Sequence, residues 1–106
     1  MNDLANVKDV YNELKEGKNI IILDVRTEDE YDSGHIKNSI LLPLNHLKEK
    51  ATEIIQNKNA IINTICRSGG RSAMARSVLE DMGYTNVRSI AGGILKWQEQ
   101  GLPVES

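Results

Sequence analysis

Cys66-Arg67-Ser68-Gly69-Gly70-Arg71-Ser72 puts a thiol, two guanidinium groups, two hydroxyls and two glycines in one unbroken stretch. An apolar approach (Ile61, Ile62, Ile65) precedes the thiol. Beyond it Met74, Ala75, Val78, Leu79 and Met82 recur at helical spacing, with Gly83 as the stop. The pattern predicts a strand to Ile65, a tight loop, and a helix over 72–82 with Ser72 as its N-cap. A thiol at that junction faces the unpaired N–H groups and positive dipole end of a helix. Helix N-termini and neighbouring Arg both favour thiolate over thiol, so Cys66 is a candidate nucleophile.

A lone cysteine is more often a small core hydrophobe. The neighbours argue otherwise here. Two adjacent glycines cost backbone entropy unless an unusual conformation is wanted, and successive loop amides can form an anion-binding nest. Arg67 and Arg71, which elsewhere would be solvated surface charges, read beside that nest as anion-binding groups.

The remaining chain must hold this loop. Leu4, Val7, Val10, Tyr11 and Leu14 lie on one helical face within 4–16, ended by Gly17, and the first residues could instead form a short edge strand. Ile20-Ile21-Ile22-Leu23 before Asp24 has the continuous apolar pattern of a buried parallel strand. Thr27 with Glu30 forms a capping box for a short helix, and Gly34-His35 marks a turn. A brief strand ends at Pro43, and a helix from Asn45 turns Leu47, Ala51, Ile54 and Ile55 inward. Strands over 60–65 and 84–90, a turn at Gly92-Gly93 and a helix over 94–100 complete the order. Short strands alternating with helices predict an α/β domain, its mainly parallel sheet covered on both faces. Ligands of such sheets bind beyond the carboxyl ends of the strands, which is where Cys66 stands.

A length of 106 residues suits one domain over 1–106 that buries roughly 60–70% of its unfolded surface. The single cysteine excludes an internal disulfide, and no Cys/His spacing suits zinc. With no signal-type or membrane-length apolar run, the expected location is the reducing cytoplasm, away from membranes. A net charge of −2 argues against nucleic acid. Yet Arg67, Arg71 and Arg76 cluster within one stretch, which suggests a small anionic substrate.

With those residues in view, the chain resembles a single-domain rhodanese, of the thiosulfate sulfurtransferase family, almost end to end. The resemblance rests on Asp24-Val25-Arg26, Glu30-Tyr31, Gly34-His35-Ile36 and the loop from Cys66 to Ser72. It continues through Gly83-Tyr84 with Asn86-Val87, Ala91-Gly92-Gly93 with Trp97, and Gly101-Leu102-Pro103-Val104. Departures are Asn38-Ser39 where the family commonly has Gly-Ala, Ile65 where it often has an aromatic residue, and the lack of any Phe. The resemblance implies a five-stranded parallel sheet between helices and a cysteine that carries sulfane sulfur as a persulfide. It implies a small anionic sulfur donor and a thiophilic acceptor, either cyanide, a thiol or an acceptor protein. Neither metal nor organic cofactor is expected. Ser68 and Ser72 are candidate hydroxyl donors to the persulfide, although the cap is the preferred role for Ser72.

Asp24, Arg26 and Glu30 read as structural ion pairing rather than acid–base machinery. His35 reads as structural, His46 carries no signal, and Trp97 is core or a wall of the site. Phosphatases and arsenate reductases of the related dual-specificity type place one more residue between Cys and Arg than the four here (67–70), and a His before the Cys. A persulfide carrier or interaction module in a sulfur relay is the non-enzymatic alternative.

Overall fold

The computed structural model describes residues 3–106. Five parallel strands form its sheet: β1 (Leu4–Ala5), β2 (Ile20–Asp24), β3 (Ile40–Leu41), β4 (Ile61–Ile65) and β5 (Asn86–Ile90), in the order β1-β5-β4-β2-β3. Five α-helices connect them: α1 (Val7–Lys15), α2 (Glu28–Ser33), α3 (Leu47–Ile54), α4 (Gly70–Asp81) and α5 (Gly93–Glu99). A 3₁₀ turn over Leu44–His46 leads into α3, where a single helix from Asn45 was expected.

Alternation along the strands divides the apolar side chains between two cores. Leu23, Ile62 and Val87 point to one face, under Leu47 and Ala51 of α3 and Ala75 and Leu79 of α4. Ile22, Ile65 and Ile90 point to the other, under Val7 and Val10 of α1 and Ile94 and Trp97 of α5. The continuous apolar run in β2 thus serves both sides of a covered sheet, as its pattern predicted. Asn6 caps α1 by accepting from the Lys8 amide, and Thr27 with Glu30 forms the expected capping box on α2. Among the described residues, no helix is long and apolar enough to cross a membrane.

The expectations fail at several points. The helix after the thiol begins at Gly70 rather than Ser72, capped by Gly69 with φ +121° and no side-chain bond. Ser72 is therefore inside the first turn and buried, not the N-cap. Met74 (61% exposed) and Ile54 (42%) lie outside the core, each on the solvent flank of its amphipathic helix. Glycine at the cap explains the early start, because it reaches the cap conformation without needing a polar side chain.

Candidate active site

Strand β4 delivers Cys66 to the carboxyl end of the sheet, where the 66–69 loop turns directly into the twelve-residue α4. The geometry at sulfur follows from that turn. The Gly69 amide donates to Sγ at 3.1 Å and the Ser72 amide at 3.3 Å, with Ser72 Oγ at 3.5 Å. These are first-turn groups of a helix, free of partners further up the chain, and the dipole adds to their field. Burial of Cys66 is the largest single influence on the thiol and pushes its pKa up. The Ser72 hydroxyl and the amides of Ser72, Gly69 and Ser68 together outweigh it, so the pKa lies below the ordinary thiol value.

A second helix holds the loop from above. Ile94 N–H donates to the Cys66 carbonyl at 2.9 Å and Leu95 N–H to that of Arg67 at 3.1 Å. Such close approach requires glycine at 93. With φ +61°, a β-carbon there would stand 2.5 Å from both carbonyl oxygens. These two bonds anchor the start of the loop, and the Ser68 amide, which shares its peptide with the tied Arg67 carbonyl, acts on the sulfur.

The two flanking arginines have different fates. Arg71 forms a bidentate pair with Glu30 at 2.7 and 2.8 Å, bridging α4 to α2. That fork, helped by Thr27, holds the Glu30 carboxyl down at a pKa of about 2. Arg67 carries no ion pair among the described residues and lines a hollow of about 180 Å³ with Arg26, Glu30, Gly34 and Leu95. Of the expected anion-binding pair, then, only Arg67 presents an uncompensated charge. Arg26 is buried against Asp24, with its Nη2 at 2.8 Å from Oδ2 and 2.7 Å from the Gly34 carbonyl, which fits the structural ion pairing expected for it. His35 stacks on Tyr31 with its Nδ1 2.8 Å from the Tyr31 carbonyl oxygen, remote from sulfur in its contacts. Trp97 is core. Its indole N–H donates to the Pro103 carbonyl, and it lines a larger hollow of about 440 Å³ beside Tyr11, Ile36 and Val104, to which the 66–72 loop contributes nothing.

Ser68, Gly69, Gly70 and Ser72 thus all belong to the turn that surrounds sulfur, Ser68 and Gly69 through their amides and Ser72 through amide and hydroxyl. Gly70 opens α4, and no hydrogen bond from it to sulfur is present. Sequence reasoning missed Thr64 and Ser89. Ser89 Oγ lies 2.8 Å from Ser72 Oγ, and Thr64 Oγ1 donates to the Ser72 carbonyl at 2.8 Å. Period-two alternation would have placed Thr64 on the face of Cys66, and its register partner in β5 is Ser89.

A cysteine at the carboxyl edge of a parallel sheet, wrapped by the N-terminus of α4, is the arrangement of a thiolate site in an α/β fold. The Rhodanese-like domain model matches residues 6–100, and the chain belongs to the rhodanese-like family. It is 33% identical over 91 residues to a sulfurtransferase of Allochromatium vinosum, covering 86% of this chain and 83% of that one. It is 35% identical over 72 residues to the thiosulfate sulfurtransferase PspE of Escherichia coli, covering 68% of each. Among solved structures, a rhodanese-related protein from Thermoplasma volcanium superposes with a TM-score of 0.84 at 37% identity, over 95% of both chains.

Proposed function

We propose that this rhodanese-family protein, acting as a single cytoplasmic domain, transfers sulfane sulfur from thiosulfate or another sulfane donor to a thiophilic acceptor through a Cys66 persulfide. The observation that carries the reading is the convergence of two backbone N–H groups and the Ser72 hydroxyl on a buried sulfur. Thiolate Sγ attacks the outer sulfur of thiosulfate, the S–S bond to the sulfonate breaks, and sulfite departs with the electron pair. Attack of one anion on another is opposed by charge. The loop amides, the α4 N-terminus and the free Arg67 supply the opposing potential. Cyanide or a thiolate then attacks the terminal sulfur and releases Cys66 as thiolate, a two-step covalent cycle.

Intact mass before and after thiosulfate, and again after cyanide, tests this. The protein should gain about one sulfur atom (roughly 32 Da) and lose it to cyanide as thiocyanate, while Cys66→Ala gains nothing. Hydrolysis of an aryl phosphate without any mass gain would overturn it. A carrier role in a protein-to-protein relay is the second reading. It is supported by the 37% identity over 76 residues to a protein named putative sulfur carrier protein YrkF in Bacillus subtilis, of which this match covers 40%.

A further inference from the structure

Ser89 lies outside the 66–72 loop, and its hydroxyl is buried on β5 behind α4. Among the described residues its one hydrogen-bond partner is Ser72 Oγ, at 2.8 Å. We propose that Ser89 is a positioning residue for Cys66: by donating to Ser72 Oγ it leaves the Ser72 hydrogen to point at Sγ. The inference rests on Cys66 working as a thiolate, as proposed above.

The argument is one of counting hydrogens. A serine hydroxyl has one to give and two lone pairs to receive with. Around Ser72 Oγ stand three neighbours: Sγ at 3.5 Å, the Gly69 carbonyl oxygen at 3.1 Å and Ser89 Oγ at 2.8 Å. The Gly69 carbonyl can only accept, and so can a thiolate. Ser89 can do either, but a buried hydroxyl that does not donate leaves its own hydrogen unsatisfied, at a cost larger than a typical hydrogen bond returns. Ser89 therefore donates, and Ser72 has its hydrogen for Sγ or for Gly69. When Cys66 is a thiol, its S–H donates to Ser72 Oγ and the Ser72 hydrogen goes to Gly69. When the proton leaves, the Ser72 hydroxyl turns to the thiolate. Gly69 loses little, because the Ala73 amide already donates to the same carbonyl at 3.1 Å.

Two further contacts make the arrangement stiff. Thr64 Oγ1 holds the Ser72 carbonyl at 2.8 Å, and Thr64 and Ser89 are register partners on β4 and β5. The hydroxyl that must rotate is thus attached to a backbone that does not. A hydroxyl that accepts one hydrogen bond also donates a stronger one, so Ser89 sharpens the Ser72 contact at sulfur.

The test is the pH dependence of Cys66 alkylation by iodoacetamide, together with thiolate absorbance, neither of which requires sulfur transfer. The charged groups at this end of the sheet are Arg71 with Glu30, Arg26 with Asp24, and Arg67, and all stay in place in the variants. Ser89→Ala should move the profile to higher pH, with alkylation below the midpoint slowed about two- to fourfold. In a Ser72→Ala background the same substitution should change nothing. Ser89→Thr and Ser89→Val are isosteres differing by the hydroxyl, so they give the same comparison should the alanine variant not fold. The threonine should keep the parent profile and the valine should shift it. An unmoved profile for Ser89→Ala, or an equal shift with and without the Ser72 hydroxyl, would overturn the proposal. A lowered midpoint in the parent without any gain of sulfur would instead count against the transfer reading and leave the positioning role of Ser89 standing.

Discussion

Between β4 and β5, two successive rows of the ladder carry polar pairs into opposite cores. Asn63 beside Arg88 faces α1, and Thr64 beside Ser89 faces α4. The hydroxyl row is fully partnered, and its bonds lead through Ser72 to sulfur. The amide and guanidinium row is not. Arg88 reaches Glu13 at 2.9 Å and Asn63 makes one long contact of 3.4 Å to the Ile21 carbonyl. Asn63 Oδ1 and Arg88 Nε, both buried, have no partner among the described residues. One residue of register separates the rows, so depth does not explain the difference. A hydroxyl can rotate its hydrogen toward whatever lies near, and the first turn of α4 offers it partners. A flat amide or guanidinium needs several groups at fixed angles, and the underside of α1 supplies one.

The largest effect expected from this contrast lies at Asp24–Arg26, where both ions are buried and Nε and Nη2 of the guanidinium meet both carboxylate oxygens. Arg26→Leu would strand the Asp24 carboxylate and should cost about 3–5 kcal/mol. Urea unfolding would read the loss, and a change below about 1 kcal/mol would mean that water reaches Asp24. Next come the two rows themselves, tested with isosteres. Thr64→Val removes a satisfied donor and should lower stability by about 1 kcal/mol. Asn63→Leu removes an acceptor that has no partner and should be neutral or stabilising by up to about 2 kcal/mol. Equal losses from both substitutions in the same urea series would erase the distinction between the rows.

That distinction also marks how far the sequence could be read. The strands were legible because β-branched runs such as Ile20 to Leu23 have few other uses. The loop was legible because its residues are chemically unusual together. The start of α4 was not, since a glycine cap has no side chain to announce it and Ser72 offered a conventional one. Ser89 was hidden for a different reason. A serine in a strand is unremarkable until register sets it opposite Thr64, and register is a property of two strands. Glu30 was legible as a cap and as an ion-pairing carboxylate grouped with Asp24 and Arg26, but its partner is Arg71 and not Arg26. Its pairing with Arg71, 41 residues away, leaves no local trace.

Glu30 supplies the smallest and most specific prediction. Its carboxylate is shared between the Arg71 fork and the Thr27 cap, so it ties the α2 N-terminus to the 66–72 loop. The folded-state pKa is about 2, below the ordinary value of 4.5, so the folded protein binds this proton less readily than the unfolded chain. The stabilisation from ionised Glu30 is therefore complete above about pH 4.5 and is lost as pH falls toward 2. Glu30→Gln should lower stability at pH 7, and its urea midpoint should converge on the parent's as both are acidified. A constant difference across that range would show that the substitution acts through packing. The same variant also frees the Arg71 charge, which already acts on Cys66, so thiosulfate should bind more tightly as the loop becomes less stable. An unchanged KM for thiosulfate would place Arg71 outside the donor's path even when it is free to turn.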